Sequence, residues 1–206
     1  MLVDTLALIS VVAMILILRP FVEILPSLLA CLIRWKEIVN LENVVKYARY
    51  RNWIAFILII PFCITVYEFK LYRPYFIENL SDDLNLLAII GVFIGYLVLR
   101  LISSNLSMSR KKRTKASDTA QSSSYIFFII LTLLSMIEGA ILSFIKVDIE
   151  TIRSIILWTC GIIYVIALVR KLQILSSNYN LFSAILYLCA FEILPTGALL
   201  TSAIIF

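Results

Sequence analysis

The run LFSAILYLCAFEILPTGALLTSA, residues 181–203, decides what kind of chain this is. It is long enough to cross a bilayer, which takes about 17–25 predominantly apolar residues. Yet it carries a carboxylate, Glu192, and a helix-breaking proline, Pro195, near its middle. An acid at that depth is costly and is therefore paired, protonated or functional. Pro195 has no backbone N–H, so the carbonyl of Phe191 loses its helical donor. Cys189 precedes Glu192 by three positions and Thr196 follows it by four, so regular helical geometry puts all three on one face.

Outward from this run, the whole chain is apolar. Of 206 residues, 62% are hydrophobic and 15% charged, against about half and about a quarter in soluble domains. So much apolar surface cannot be buried inside one chain of this size, and lipid must solvate the remainder. Histidine is absent, which removes the commonest general base and metal ligand. Cys31, Cys63, Cys160 and Cys189 are far apart and form no C-x-x-C pair. They read as small buried hydrophobes rather than disulfides or metal ligands. No phosphate loop, nucleophile elbow or zinc-protease helix is present. The expectation is a non-enzyme with no cofactor, no metal and no nucleic-acid partner. Asp4 stands before the first apolar run without a basic start or a small-residue cleavage site, so that run reads as a retained helix.

Six spans are expected: 2–18, 53–67, 84–102, 125–145, 152–169 and 181–203. Residues 21–33 are apolar but short, and they contain Glu23 and Pro26. They read as a re-entrant piece, an interfacial piece or a bent extension of the first helix. Residues 34–51 place Ile38, Leu41, Val45 and Ala48 at helical spacing among Arg34, Lys36, Lys46, Arg49 and Arg51. That composition suits a basic amphipathic helix at headgroup level. Pro61 interrupts the second span and strips the carbonyl of Ile57 of its donor. Residues 103–124, SSNLSMSRKKRTKASDTAQSSS, are Ser-rich and basic, and they read as a flexible cytoplasmic loop. The expected fold is an all-α membrane protein: one domain over 1–206, a bundle of about six transmembrane helices with a basic interfacial helix after the first.

Charge then orients the bundle. With six spans, Arg19, the five bases of 34–51, Arg100, the five from Arg110 to Lys115, and Arg170–Lys171 share one side. Only Lys70, Arg73, Lys146 and Arg153 fall on the other. The positive-inside rule makes the basic side cytoplasmic and puts both termini across the membrane from it. The cluster Arg110, Lys111, Lys112, Arg113 and Lys115, with Lys46, Arg49 and Arg51, is suited to anionic headgroups or a partner.

All five glycines fall inside spans, where small residues let helices approach closely. Gly91 and Gly95 line one face of the third span, and Ser135, Gly139 and Ser143 one face of the fourth. Packing within the chain is the expected role. Glu138 is a second intramembrane acid, with Ser135 three residues before it. With no Lys or Arg deep in a span, Glu138 and Glu192 are expected to lack ionic partners. Glu192 then reads as a protonated hydrogen-bonding anchor, a contact to a partner helix, or part of a proton or cation relay.

Residues Tyr187-Leu188-Cys189-Ala190-Phe191-Glu192-Ile193-Leu194-Pro195 resemble the closing motif, Tyr-[Leu/Ile]-Cys-x-Leu-Glu-Ile-x-Pro, of an uncharacterised family of multi-pass inner-membrane proteins in the Bacteroidota. Phe191 stands where that motif has Leu. The resemblance implies an inner-membrane location and singles out Tyr187, Cys189, Glu192 and Pro195, without supplying a reaction. Together with the absence of catalytic constellations, it leads to two expected functions. The first is a subunit or assembly factor of an envelope complex, in contact with lipids and membrane protein partners. The second is a small proton- or ion-coupled transporter using Glu138 and Glu192.

Overall fold

Lipid offers no hydrogen-bond partners, so a spanning backbone must satisfy its own amides, and this chain does so as α-helices. The structure, a computed structural model, describes residues 2–72, 74, 82–108, 115–177 and 179–205. The helices are α1 (Leu2–Ile33), α2 (Trp35–Asn43), α3 (Val45–Ile57), α4 (Ile59–Glu68), α5 (Asp82–Met108), α6 (Lys115–Phe144), α7 (Ile149–Ser176), α8 (Leu181–Leu188) and α9 (Leu194–Ile205), with a π-helical turn at Cys189–Ile193 between the last two. Among the described residues, six segments are long and apolar enough to cross a membrane: Val3–Ile33, Val45–Glu68, Asp83–Arg100, Asp118–Phe144, Ile149–Ser176 and Leu181–Ser202. The all-α multi-pass architecture expected from the sequence is the one observed.

One local expectation narrows to a single reading and two change. Residues 21–33 continue the first helix, so α1 runs through Pro20 and Pro26 for 32 residues. Its last carbonyls are capped from α7: Arg170 donates through Nη2 to the carbonyls of Leu32 and Ile33 at 2.9 and 2.8 Å. A cation at a helix C-terminus suits both the open carbonyls and the dipole. The chain breaks at Arg34, which is extended.

The amphipathic piece is shorter than 34–51. In α2, Ile38 and Leu41 are buried, but Val45 starts a new helix and is exposed. Its continuation α3–α4 is the second span, interrupted at Leu58. That is the turn Pro61 was expected to open, since no amide at 61 reaches back to Ile57. Arg51 faces inward rather than toward lipid or a partner. Its side chain is 2% exposed, paired with Glu42 and Asn52, and its guanidinium lies 5.8 Å from the centre of the Tyr125 ring. Lys46 bonds Glu23 of α1 at 2.7 Å, while Arg49 is exposed.

The expected flexible loop 103–124 is largely helix. α5 extends to Met108 and α6 begins at Lys115. Composition misleads here because the polar residues are small: Thr119, Ala120 and Ser123 are all buried, and Ser123 returns its hydroxyl to the carbonyl of Ala120 at 2.7 Å. A helix surfaced by Ser and Ala can pack closely without apolar bulk. Arg110, Lys111, Lys112 and Arg113 lie outside the described residues, as does the side chain of Lys115.

The main core joins Ile24, Leu28 and Cys31 of α1 to Ile38, Leu41, Ile54, Leu58, Ile126, Ile129, Ile174 and Leu188. Among these, the α1 residues all come from its C-terminal half, while Leu8, Val12, Ile15 and Leu16 of its N-terminal half are exposed. Across the middle, Phe62, Phe93 and Phe128 tie α4, α5 and α6 together, with ring centroids 5.1–5.7 Å apart. The free cysteines bear out the hydrophobe reading at Cys31 and Cys63, which are buried, whereas Cys189 is exposed.

The glycine expectation divides. Gly139 is buried, and a Cβ there would overlap Cε2 and Cζ of Phe69, at the end of α4. Ser135 is buried with it, but Ser143 is exposed. At Gly91 and Gly95 a Cβ would meet nothing within 4 Å among the described residues, so no described part of the chain packs closely on them. Gly139→Ala is expected to destabilise by about 1–3 kcal/mol through overpacking, read as a lower melting temperature in detergent. Adding Phe69→Ala should remove most of that difference between Gly and Ala at 139.

Candidate functional site

The site grows from three side chains that apolar helices carry into the bundle. On α5, Arg100 follows Leu97-Val98-Leu99 and precedes Leu101-Ile102, so apolar residues flank it on both sides. On α7, Lys171 sits in the same kind of run, followed by Leu172, Ile174 and Leu175. The π-helical turn supplies Glu192. Its wide turn is visible in the amide of Leu194, which donates to the carbonyl of Cys189 five residues back. Pro195 follows at once; its ring would crowd the carbonyl four residues earlier in a regular helix, and the widened turn accommodates it.

The three ions meet. Arg100 Nη2 and Lys171 Nζ both donate to Glu192 Oε1, each at 2.5 Å. Both also donate to Ser124 Oγ on α6, at 2.5 and 2.6 Å. The result is a closed ring of four side chains from four elements. It is well buried, with side-chain exposures of 5% for Lys171, 11% for Glu192 and 22% for Arg100. A water-sized cavity of about 20 Å³ adjoins it, lined by Gln121, Tyr187 and Phe191 along with the three ions. On the backbone side, the carbonyl of Glu192 accepts from Thr196 Oγ1 at 2.7 Å and Tyr164 OH at 3.2 Å. Tyr96 OH lies 3.3 Å from Thr196 Oγ1.

This corrects the expectation that Glu192 lacks an ionic partner and is a protonated anchor. The two bases were read as ends of cytoplasmic segments, whereas their helices continue past them and turn them inward. For Arg100 the signal is a lone base inside an otherwise apolar run; Lys171, with Arg170 beside it, carries no such mark. Ser124 was hidden in the presumed loop. Cys189 does not share the face of Glu192: the π-turn rotates it to the exterior, where it is exposed while Glu192 is buried. Thr196 and Tyr187 do stay near Glu192, Thr196 through the carbonyl and Tyr187 through the small cavity and its ring contact with Phe191, 4.8 Å between centroids. The expected carbonyl of interest was that of Phe191; the one that receives hydroxyls is that of Glu192.

Glu138 belongs to a different place. Its Oε1 accepts from Thr159 Oγ1 of α7 at 2.8 Å, while Oε2 is buried without a hydrogen-bond partner. Ser135 does not join it, since its hydroxyl donates to the carbonyl of Thr132 at 2.9 Å. Along α7, Thr159 and Lys171 are separated by about 18 Å at 1.5 Å per residue. The two intramembrane acids therefore do not form one site.

The domain of unknown function DUF4271 matches residues 5–202. The chain belongs to that family. No curated protein and no solved structure matches it. The match takes in every element of the ion ring, so the ring lies wholly within the DUF4271 domain.

Removing one partner from a buried ion group leaves the others uncompensated, at a typical cost of about 3–5 kcal/mol. Glu192→Gln is therefore expected to be strongly destabilising, in contrast to the tolerance expected for a neutral acid. Adding Lys171→Met to Glu192→Gln should recover part of the loss, because one stranded cation is removed with it. Thermal unfolding of the three proteins in one detergent checks this.

Proposed function

We propose that this chain is a non-enzymatic integral subunit or assembly factor of a larger cell-envelope complex, seated in a bacterial inner membrane and serving protein export or envelope biogenesis. The observation that carries the reading is the bare glycine face of α5. Glycine costs about 0.8–1 kcal/mol relative to alanine in a helix interior, and in a bilayer the usual return is close approach of another helix. At Gly139 the return is visible in the Phe69 ring. At Gly91 and Gly95 none of the described residues supplies it, with Ile94, Val98 and Leu99 exposed around them. A helix of a partner protein supplies what is missing.

A proton- or ion-coupled transporter using Glu138 and Glu192 draws less support. Glu192 is held by two cations, and Glu138 stands about 18 Å away along the bundle. For orientation, the basic segments are on the cytoplasmic side and both termini are periplasmic, supported by the distribution of Lys and Arg.

From gently solubilised membranes, the tagged chain is expected to bring a membrane protein with it in fixed stoichiometry. Gly91→Leu with Gly95→Leu should abolish that recovery while leaving the chain monodisperse and its melting temperature unchanged. A lone wild-type monomer, or a partner retained by the double variant, overturns the proposal. Separately, a cysteine appended to either terminus should react with a membrane-impermeant maleimide in intact spheroplasts; protection of both until lysis would reverse the orientation.

A further inference from the structure

Between the helices runs a trough of about 960 Å³, at the upper end of the range of about 300–1,000 Å³ common for small-molecule sites. Its polarity is graded along the bundle. On α5 the lining passes from Leu87 and Ile90 to Arg100; on α6, which runs the other way, from Leu131 back to Ser124 and Gln121; on α7, from Ile163 to Lys171. Because helices of opposite direction agree, the gradient belongs to the cavity and not to any one helix. The floor is aromatic, with Phe62, Phe93 and Phe128. From Leu87 to Arg100 the trough is about 20 Å long, enough for about 15 Å of hydrocarbon in one leaflet and the glycerol level above it.

Among the described residues, its charged end carries one more cation than anions. Arg100 and Lys171 share the single carboxylate Glu192, and the nearby Arg51 is taken up by Glu42 and Asn52. Arg100 spends only Nη2 on protein acceptors; among the described residues its Nε and Nη1 donate to none. An excess positive charge within a membrane calls for an anion, and guanidinium is suited to phosphate. The lining, cationic at one end and apolar along the rest, matches an amphiphile that joins an anionic head to apolar chains.

We propose that this trough binds one anionic phospholipid from the surrounding bilayer, its phosphate against Arg100 and Lys171 and its acyl chains along the phenylalanine floor. Ile94 and Val98 border both this trough and the glycine face of α5, whereas the charged end at Arg100 and Lys171 lies beyond the glycines; the binding measurement is made on the purified chain, so its outcome does not depend on whether a partner protein is found.

The test is native mass spectrometry of the purified full chain, delipidated in a neutral detergent and titrated with phosphatidylglycerol, phosphatidylcholine or inorganic phosphate. One phosphatidylglycerol per chain is expected, held at least tenfold more tightly than phosphatidylcholine, with no retained inorganic phosphate. Arg100→Gln should weaken phosphatidylglycerol at least tenfold. Ile94→Trp, which fills the apolar part and leaves the ion ring untouched, should do the same, and it decides the matter if Arg100→Gln fails to fold. Equal retention of the two lipids, retention of inorganic phosphate at the level of the lipid, or phosphatidylglycerol binding indifferent to Ile94→Trp overturns the proposal.

Discussion

Three ionised side chains in an apolar bundle cannot be left apart, and much of the molecule follows from the need to bring them together. Glu192 sits near the middle of its own span, and its compensation comes from neighbouring helices. Arg100 and Lys171 provide it, and Ser124 completes the circuit. For the ring to close, α5 must continue helically past Arg100, α6 must begin well before its apolar segment, and the last span must widen into a π-turn. Each of these is observed. A buried ion group contributes little to net stability compared with an apolar one of the same shape, but it tolerates few alternative arrangements. Here it ties four elements to a single register.

The fold was legible in the sequence because apolar length is a strong signal: each of the six runs had to be buried in lipid, and backbone satisfaction left only helices. The boundaries were less legible. Pro20 and Pro26 suggested a break in what is one helix, since proline is tolerated in membrane helices where neighbours absorb the disruption. The Ser-rich segment 103–124 resembled a disordered linker because composition alone does not reveal that small polar residues can form a close-packed surface.

The site was half legible. Glu192 and Pro195 stood out at once, and Thr196 was correctly placed beside the acid. The partners were missed because charge at the ends of spans was assigned entirely to topology. Arg170 and Lys171 show how adjacent bases divide such work: Arg170 caps the carbonyls of α1, while Lys171 enters the ion ring. Nothing in their order along the chain distinguishes them; only the direction each takes from α7 does. The glycines gave a similar lesson. Gly139 and the Gly91–Gly95 pair share a spacing pattern, but only the first has a ring lying over it.

The π-turn at Cys189–Ile193 amounts to one residue more than a regular helix would need between α8 and α9. Segment length, as much as side-chain identity, therefore aims the carboxylate. A related chain with one residue fewer here would keep every functional side chain by name yet swing Glu192 off the bundle axis and rotate α9 with it. When members of the family are set side by side, a single gap in this stretch is thus a change of geometry, and a conserved glutamate on either side of it need not be the same glutamate in space.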